Sequence, residues 1–451
     1  MEKWGDVDFT SGGIAGKILA FSIPLMAGNI FQQLYNVVDT LVVGRFLGEI
    51  PLAAVGSAYT LMIFLTSILI GLSMGSGVYF SHCFGKKDKN ALGQAVFIAF
   101  LSIGFMAAVM NGAVYFLLEP ITSFMQIPEE TVPDFTEYLE WIFFGIMAVF
   151  LYNFMASLLR AVGNSMAPLL FLVLSSLMNA GLDILFVVYL QQGVAGAAQA
   201  TVISQYVSGI GLFLYGLFYR KDIFPQRRDM VWDWGICRKL WGLSFFNGLQ
   251  QSIMNFGILL VQGLVNSFGT SVMAAFAAGV KIDTLAYSPL QDFGNAFSTC
   301  VAQNYGAGNR KRIYEGVAAA GKMVLLFSIP VSLFISFFAP SLMGIFMPAE
   351  AEAVIREGSR YLRIEGSCYV GIGILFLLYG YYRAVGQAGM SVILTVLSLG
   401  TRVVLAYGLS SFPVPGVAGI WMAIPFGWAL SDIYGIMKGY GKLKKYGETA
   451  G

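Results

Sequence analysis

The chain has 451 residues, of which 57% are hydrophobic and 12% charged. An ordinary soluble domain carries about 25% charged residues, so lipid as well as water must solvate this surface. The net charge of +2 excludes a strongly basic nucleic-acid binder. The single histidine (His82) and four scattered cysteines (Cys83, Cys237, Cys300 and Cys368) argue against a disulfide framework, a CxxC zinc site or a histidine-based enzyme.

In chain order, Met1 to Gly16 is polar and lacks the basic n-region of a signal peptide, so the first apolar stretch reads as a retained span. A helix needs about 20 mostly apolar residues to cross a bilayer. Stretches of that kind predict spans over 18–43, 51–80, 92–118, 138–159, 167–190, 194–219, 241–265, 272–302, 315–339, 361–382, 391–412 and 414–437. The alternation of a membrane β-barrel is absent. The expected fold class is an all-α integral membrane protein with twelve transmembrane helices.

Basic residues gather in the loops after even-numbered spans and in the tail. They are Lys86, Lys87 and Lys89; Arg160; Arg220, Lys221, Arg227, Arg228, Arg238 and Lys239; Arg310, Lys311 and Arg312; Arg383; and Lys438, Lys442, Lys444 and Lys445. The loop between spans 3 and 4 is acidic, with Glu119, Glu129, Glu130 and Asp134. The positive-inside bias predicts a multi-pass protein of the cell membrane with both termini cytoplasmic.

The chain repeats itself. Arg160-Ala161-Val162-Gly163 recurs as Arg383-Ala384-Val385-Gly386, and Gly193-Val194-Ala195-Gly196 as Gly416-Val417-Ala418-Gly419, both at an offset of 223. Gly48 and Phe84-Gly85 are echoed by Gly269 and Tyr305-Gly306 at 221, and Pro120 and Pro128 by Pro340 and Pro348. Ordered matches at nearly one offset, drifting by two or three residues, define a duplication. The expected organisation is an N-lobe over 1–219 with spans 1–6, a cytoplasmic linker over 220–240, and a C-lobe over 241–451 with spans 7–12 and the basic tail. Two pseudo-symmetric six-helix lobes in the same orientation are a transporter architecture, with substrate handled by alternating access.

Charges inside spans mark functional candidates, because burying one in lipid costs roughly 2.5–3.5 kcal/mol on insertion scales. Gln32, Tyr35, Asn36 and Asp39 share one face of span 1 by helical spacing. Asn179 and Asp183 share a face of span 5, and Thr201 on span 6 is a candidate neighbour. Two carboxylates with amide and hydroxyl oxygens suit a proton or a hard cation such as Na⁺. The second half differs. Leu260 stands at the position equivalent to Asp39, and Arg402 at that of Asn179. It carries its own charges, Lys281, Asp283 and Asp292 on span 8 and Glu365 on span 10. With Arg402 these read either as internal ion pairs or as a polar network that couples or binds. The glycines of Gly71 to Gly77 read as a close-packing surface. Gln250, Gln251, Asn255 and Gln262 on span 7 read as interhelical hydrogen-bond partners.

Val38-Asp39-Thr40-Leu41-Val42-Val43-Gly44-Arg45-Phe46-Leu47-Gly48 resembles the first-span signature of the multidrug and toxic compound extrusion (MATE) family. Asn179 to Phe186 resembles its fifth-span signature and Gly193 to Thr201 its sixth. The resemblance covers nearly the whole chain. It implies an antiporter that expels small organic cations and drugs in exchange for H⁺ or Na⁺, with no further cofactor, acting as a monomer in membrane lipid. It also implies a coupling-ion site at Asp39, Asn179 and Asp183 with Thr201 nearby, where Na⁺ would bind if Na⁺ is the ion. It places Gln32, Tyr35, Tyr138 and Asn153 on the cavity of that lobe. Another branch of the family uses acids on spans 7 and 10; this chain has Gln250 and Gln251 where the first is expected, which leaves Glu365 alone of that pair.

Three alternatives stand beside this reading. A flippase for a lipid-linked saccharide would use Lys281 and Arg402 on a pyrophosphate. A membrane enzyme lacks any visible catalytic set. A channel does not need tandem halves.

Overall fold

The computed structural model describes residues 6–125, 127–346 and 351–448, without the side chains at 49, 124, 258 and 259. Pro348, one of the repeated prolines, lies outside the described residues. The first repeat forms α1 (Ile14–Phe46), α2 (Glu49–Gly85), α3 (Lys89–Phe116), α4 (Leu118–Phe124), α5 (Val132–Phe144), α6 (Ile146–Ala161), α7 (Met166–Asp183) and α8 (Gly193–Tyr219). The second forms α9 (Trp234–Asn266), α10 (Thr270–Gly306), α11 (Arg310–Phe346), α12 (Glu352–Gly366), α13 (Tyr369–Ala384), α14 (Ala388–Ser410) and α15 (Val417–Glu448). Among the described residues, the β pairing is one isolated bridge between Asp6 and Asn164.

Among the described residues, eight helices are long and apolar enough to cross a membrane: α1, α2, α3, α7 with the turn that follows it, α8, α11, α14 and α15. Two predicted spans are broken rather than straight. The pairs α5–α6 and α12–α13 bend by 42° and 51°, and each pair qualifies as one span. The breaks fall at Gly145 and at Gly366-Ser367, and glycine and Gly/Ser pairs are common causes of kinks. At Gly145 a Cβ would stand 2.9 Å from the Ile142 carbonyl, so only glycine fits the bend. The predicted spans 7 and 8 are the helices α9 and α10, of 33 and 37 residues. α9 carries the amides Gln250, Gln251, Asn255 and Gln262, and α10 the charges Lys281, Asp283 and Asp292. Gln262 donates to Asn266 of its own helix at 2.8 Å, so it serves α9 itself rather than a neighbour.

The chain forms two compact units. One contains residues 6–8 and Ile23–Gly248; the other contains Phe9–Ser22 and Leu249 onward. In the first unit α8 packs on α6 and α7, and α2 packs on α6. Phe80, Phe100, Phe150 and Phe154 fill its centre with ring centroids 5.4–6.0 Å apart. The glycine surface on α2 meets the start of α9. A Cβ on Gly71 would stand 2.5 Å from the Gly248 Cα, and one on Gly75 would strike Ser244. The hydroxyls of Ser76 and Ser244 lie 3.0 Å apart across this contact. In the second unit the main pairings are α14 with α15, α10 with α13 and α11 with α12.

The repeated motifs mark the chain reversals. Gly163 and Gly386, which close the two RAVG copies, have φ of 92° and 77°; Gly193 and Gly416, which open the two GVAG copies, have 61° and 59°. A side chain is strained at such angles, which is why both copies keep glycine there.

Candidate functional site

The first site is built on α1, α2, α5, α7 and α8, all within the first unit. Asp183 is fully buried and Asn179, one turn before it, is 1% exposed. The Asn179 amide meets Thr201 at 3.3 Å in either orientation. Only one orientation satisfies both neighbours: Nδ2 then donates to Asp183 Oδ2 at 3.0 Å, and the amide oxygen accepts from Thr201 Oγ1 and N at 3.3 Å. Tyr35 on α1 lies close to Thr201, and the charge of Asp39 acts on Asp183, Tyr35 and Tyr138. The structure thus brings together Asp39, Asn179, Asp183, Thr201, Tyr35 and Tyr138.

Asp183 is also where α7 changes character. Residues Ile184–Tyr189 continue it as a π-helical turn, in which the Leu190 N–H reaches back to the Leu185 carbonyl at 2.9 Å. π-turns inside α-helices occur frequently at functional sites. α14, the counterpart in the second repeat, runs unbroken as an α-helix.

The remaining predicted residues are placed differently. Asn36 donates to the Tyr59 hydroxyl at 3.1 Å, which adds α2 to the site. Tyr59 was not singled out by sequence because its partner Asn36 lies on a different helix. Asn153 donates to the Val149 carbonyl of its own helix at 2.8 Å, so its amide nitrogen is engaged locally. Gln32 is exposed. Gln205, one turn along α8 from Thr201, has a buried side-chain oxygen without a partner. It extends the polar stripe of that helix.

Asp39 Oδ1 and Asp183 Oδ1 are likewise buried without a partner. An unsatisfied buried acceptor costs about 1–3 kcal/mol, and more when charged. A proton or a small hard cation relieves that cost directly. The donor set of two carboxylates, one amide and hydroxyls fits either.

A second polar cluster lies within the second unit. Asp283 on α10 and Glu365 on α12 are 2% and 3% exposed. Tyr369 donates to Asp283 Oδ1 at 2.6 Å, and Tyr361 to Oδ2 at 3.4 Å. Glu365 lies close to Asp283 and Tyr361, with its Oε2 buried and without a partner, and Arg402 on α14 acts electrostatically on the two acids. Tyr361, Glu365 and Tyr369 follow one another at four-residue spacing. That signal was available in the sequence and marks one helix face carried across the bend. Gly279 makes room for Tyr361, whose ring packs edge-on against Trp421 at 5.1 Å. Lys281 is exposed, so it does not join the acids as an internal ion pair; two residues of helix turn it to the other side of α10. Asp292 is buried two turns farther along the same helix.

Tandem helical units with intramembrane acids define an integral membrane transporter. The MatE family profile matches the chain twice, over residues 24–185 and 247–408, and the chain belongs to that family of multidrug efflux transporters. It is 31% identical over 398 residues to the protein named "Probable multidrug resistance protein YpnP" of Bacillus subtilis, covering 87% of each chain. It is 23% identical to "Probable multidrug resistance protein NorM" of Thermotoga maritima, over 91% of this chain and 89% of the relative. Among solved structures it is similar to an outward-facing multidrug resistance MATE family transporter of the MOP superfamily. The TM-score is 0.91, at 24% identity, over 98% and 99% of the two chains. Both relatives are named as probable multidrug resistance proteins, and the duplicated match coincides with the sequence repeat.

Proposed function

We propose that the protein is a secondary antiporter that exports organic, amphipathic and mainly cationic compounds in exchange for H⁺ or Na⁺. The observation that carries this reading is the pair Asp39 and Asp183, each with a buried oxygen that lacks a partner. Asn179 and Thr201 orient Asp183, and Tyr35 and Tyr138 close around the pair. A proton or cation taken up there neutralises the charge that would otherwise hold a cationic substrate. Uptake of the ion therefore favours substrate release, and loss of the ion favours substrate binding. Exchange follows from competition for one negative site, with no covalent step. Alternating access of the site to the two membrane faces completes the cycle. In this reading the protein is a monomer of the cell membrane, with the basic loops and both termini cytoplasmic.

The test is efflux of a fluorescent lipophilic cation from vesicles holding the purified protein, with pH and Na⁺ gradients imposed separately. One gradient should drive transport in the wild type, and Asp39→Asn should abolish it while the protein remains folded. Failure of the folded wild type to move any organic cation under either gradient would overturn the proposal and bring lipid-linked substrates forward.

A further inference from the structure

The segment between α8 and α9 is rigidly built, yet it presents apolar side chains outward. Two 3₁₀ turns, Lys221–Ile223 and Arg227–Asp229, shape it. Arg220, 2% exposed, anchors its start through Asp6 at 2.9 Å and Asp222 at 3.3 Å. Asp229 is buried and accepts from the Gln226 N–H at 2.9 Å. It lies so close to α3 that a Cβ on Gly93 would stand 2.6 Å from its Oδ2. Gln94 of the same helix donates to the Val231 carbonyl at 3.1 Å. Asp233 accepts from the Ile236 N–H at 2.9 Å and starts α9.

The result of this anchoring is an exposed tip. Met230, Val231, Trp232 and Trp234 are 49%, 57%, 39% and 76% exposed, and the two indoles pack edge to face at 5.5 Å. Lys221, Arg227, Arg228, Arg238 and Lys239 surround it, all exposed. The neighbouring acids are committed: Asp222 to Arg220, Asp229 to the Gln226 N–H and, at 3.7 Å, to Arg228, and Asp233 to the helix start, which leaves Lys221, Arg227, Arg238 and Lys239 as the main cationic groups of the collar. A fixed apolar tip in a basic collar is unfavourable in water. It matches the boundary of a bilayer leaflet, where tryptophan is enriched and anionic headgroups attract lysine and arginine. The helices that carry the loop, α3 and α8, are both candidate spans, and α8 ends in Phe218 and Tyr219, 64% and 70% exposed. The loop therefore begins where a lipid-facing helix surface ends.

We infer that residues 230–234 with their basic collar form an interfacial docking site for anionic phospholipid on the face of the membrane that carries the basic loops. The indoles seat at headgroup depth, and the guanidinium and ammonium groups contact the lipid phosphates.

The full chain is reconstituted in phosphatidylcholine vesicles with and without phosphatidylglycerol, and with phosphatidylcholine brominated near the headgroup end of its acyl chains. The emission that disappears in the double variant W232A/W234A isolates the pair from the other tryptophans. The expected result is that bromolipid quenches most of this emission, that quenching rises with phosphatidylglycerol, and that R227Q/R228Q removes the rise while both indoles remain. Emission untouched by bromolipid but quenched by aqueous iodide would overturn the site and mark a face that awaits a protein partner. Quenching that is equal with and without phosphatidylglycerol would overturn the anionic assignment.

Discussion

Asp183 owes its setting to a single neighbour. The Asn179 amide donates to its Oδ2 and accepts from Thr201, so Asn179→Ala would take that donor from the Asp183 oxygen and that acceptor from the Thr201 hydroxyl. The expected cost is about 1–3 kcal/mol of stability, read as a lower unfolding midpoint in detergent, together with loss of coupled efflux. Glu365→Gln tests the other cluster. The amide preserves size and its Nε2 can donate to Asp283, so folding should survive. If the cluster serves transport, efflux falls with normal unfolding behaviour; if it is only internal charge compensation, efflux is unchanged. Spacing along one helix made Asp39, Asn36 and Tyr35 legible, and Asn179 with Asp183, because helical periodicity is written in sequence. Tyr59 was not legible, since its partner Asn36 is on a different helix. Asn153 and Gln32 had the right chemistry for a cavity. Whether an amide turns to its own helix or to a neighbour depends on packing that no single sequence displays.

Helices show the same division. Each predicted span falls on a helix or a bent helix pair, because about 20 apolar residues in a row leave few alternatives, but α9, α11, α12 and α15 run seven to eleven residues past the predicted ends. The bends within 138–159 and 361–382 were missed because a glycine kinks a helix only when a neighbour also requires it. At Gly145 the Gln205 side chain is that neighbour. The π-helical turn after Asp183 has no sequence signature either. Close packing was better signalled, through the glycines of α2. Gly75→Val would force α2 from the start of α9, and overpacking of this kind costs about 1–3 kcal/mol or more. Gly112→Ala on α3 meets open space and should be neutral or gain a few tenths of a kcal/mol. Thermal unfolding of the two variants in the same detergent separates contact from propensity.

At the scale of the molecule, duplication was the most legible feature and asymmetry the most informative. The two family matches start at residues 24 and 247, at the same offset as the RAVG copies. What the copies do with their shared frame differs: acids on α1 and α7 in the first, acids on α10 and α12 with an arginine on α14 in the second. Neither the repeat nor composition reveals how the chain is shared between the units. Phe9–Ser22 come from the first repeat but belong to the second unit, while Trp234–Gly248 come from the second repeat and belong to the first. The family matches begin where these borrowed segments end. Each copy has thus exchanged its opening arm with the other, as protomers do in a swapped dimer. By the same logic, a chain cut between Gln226 and Arg227 is not two independent halves. Each fragment retains an arm that completes its partner, so the fragments should migrate as one particle in gel filtration.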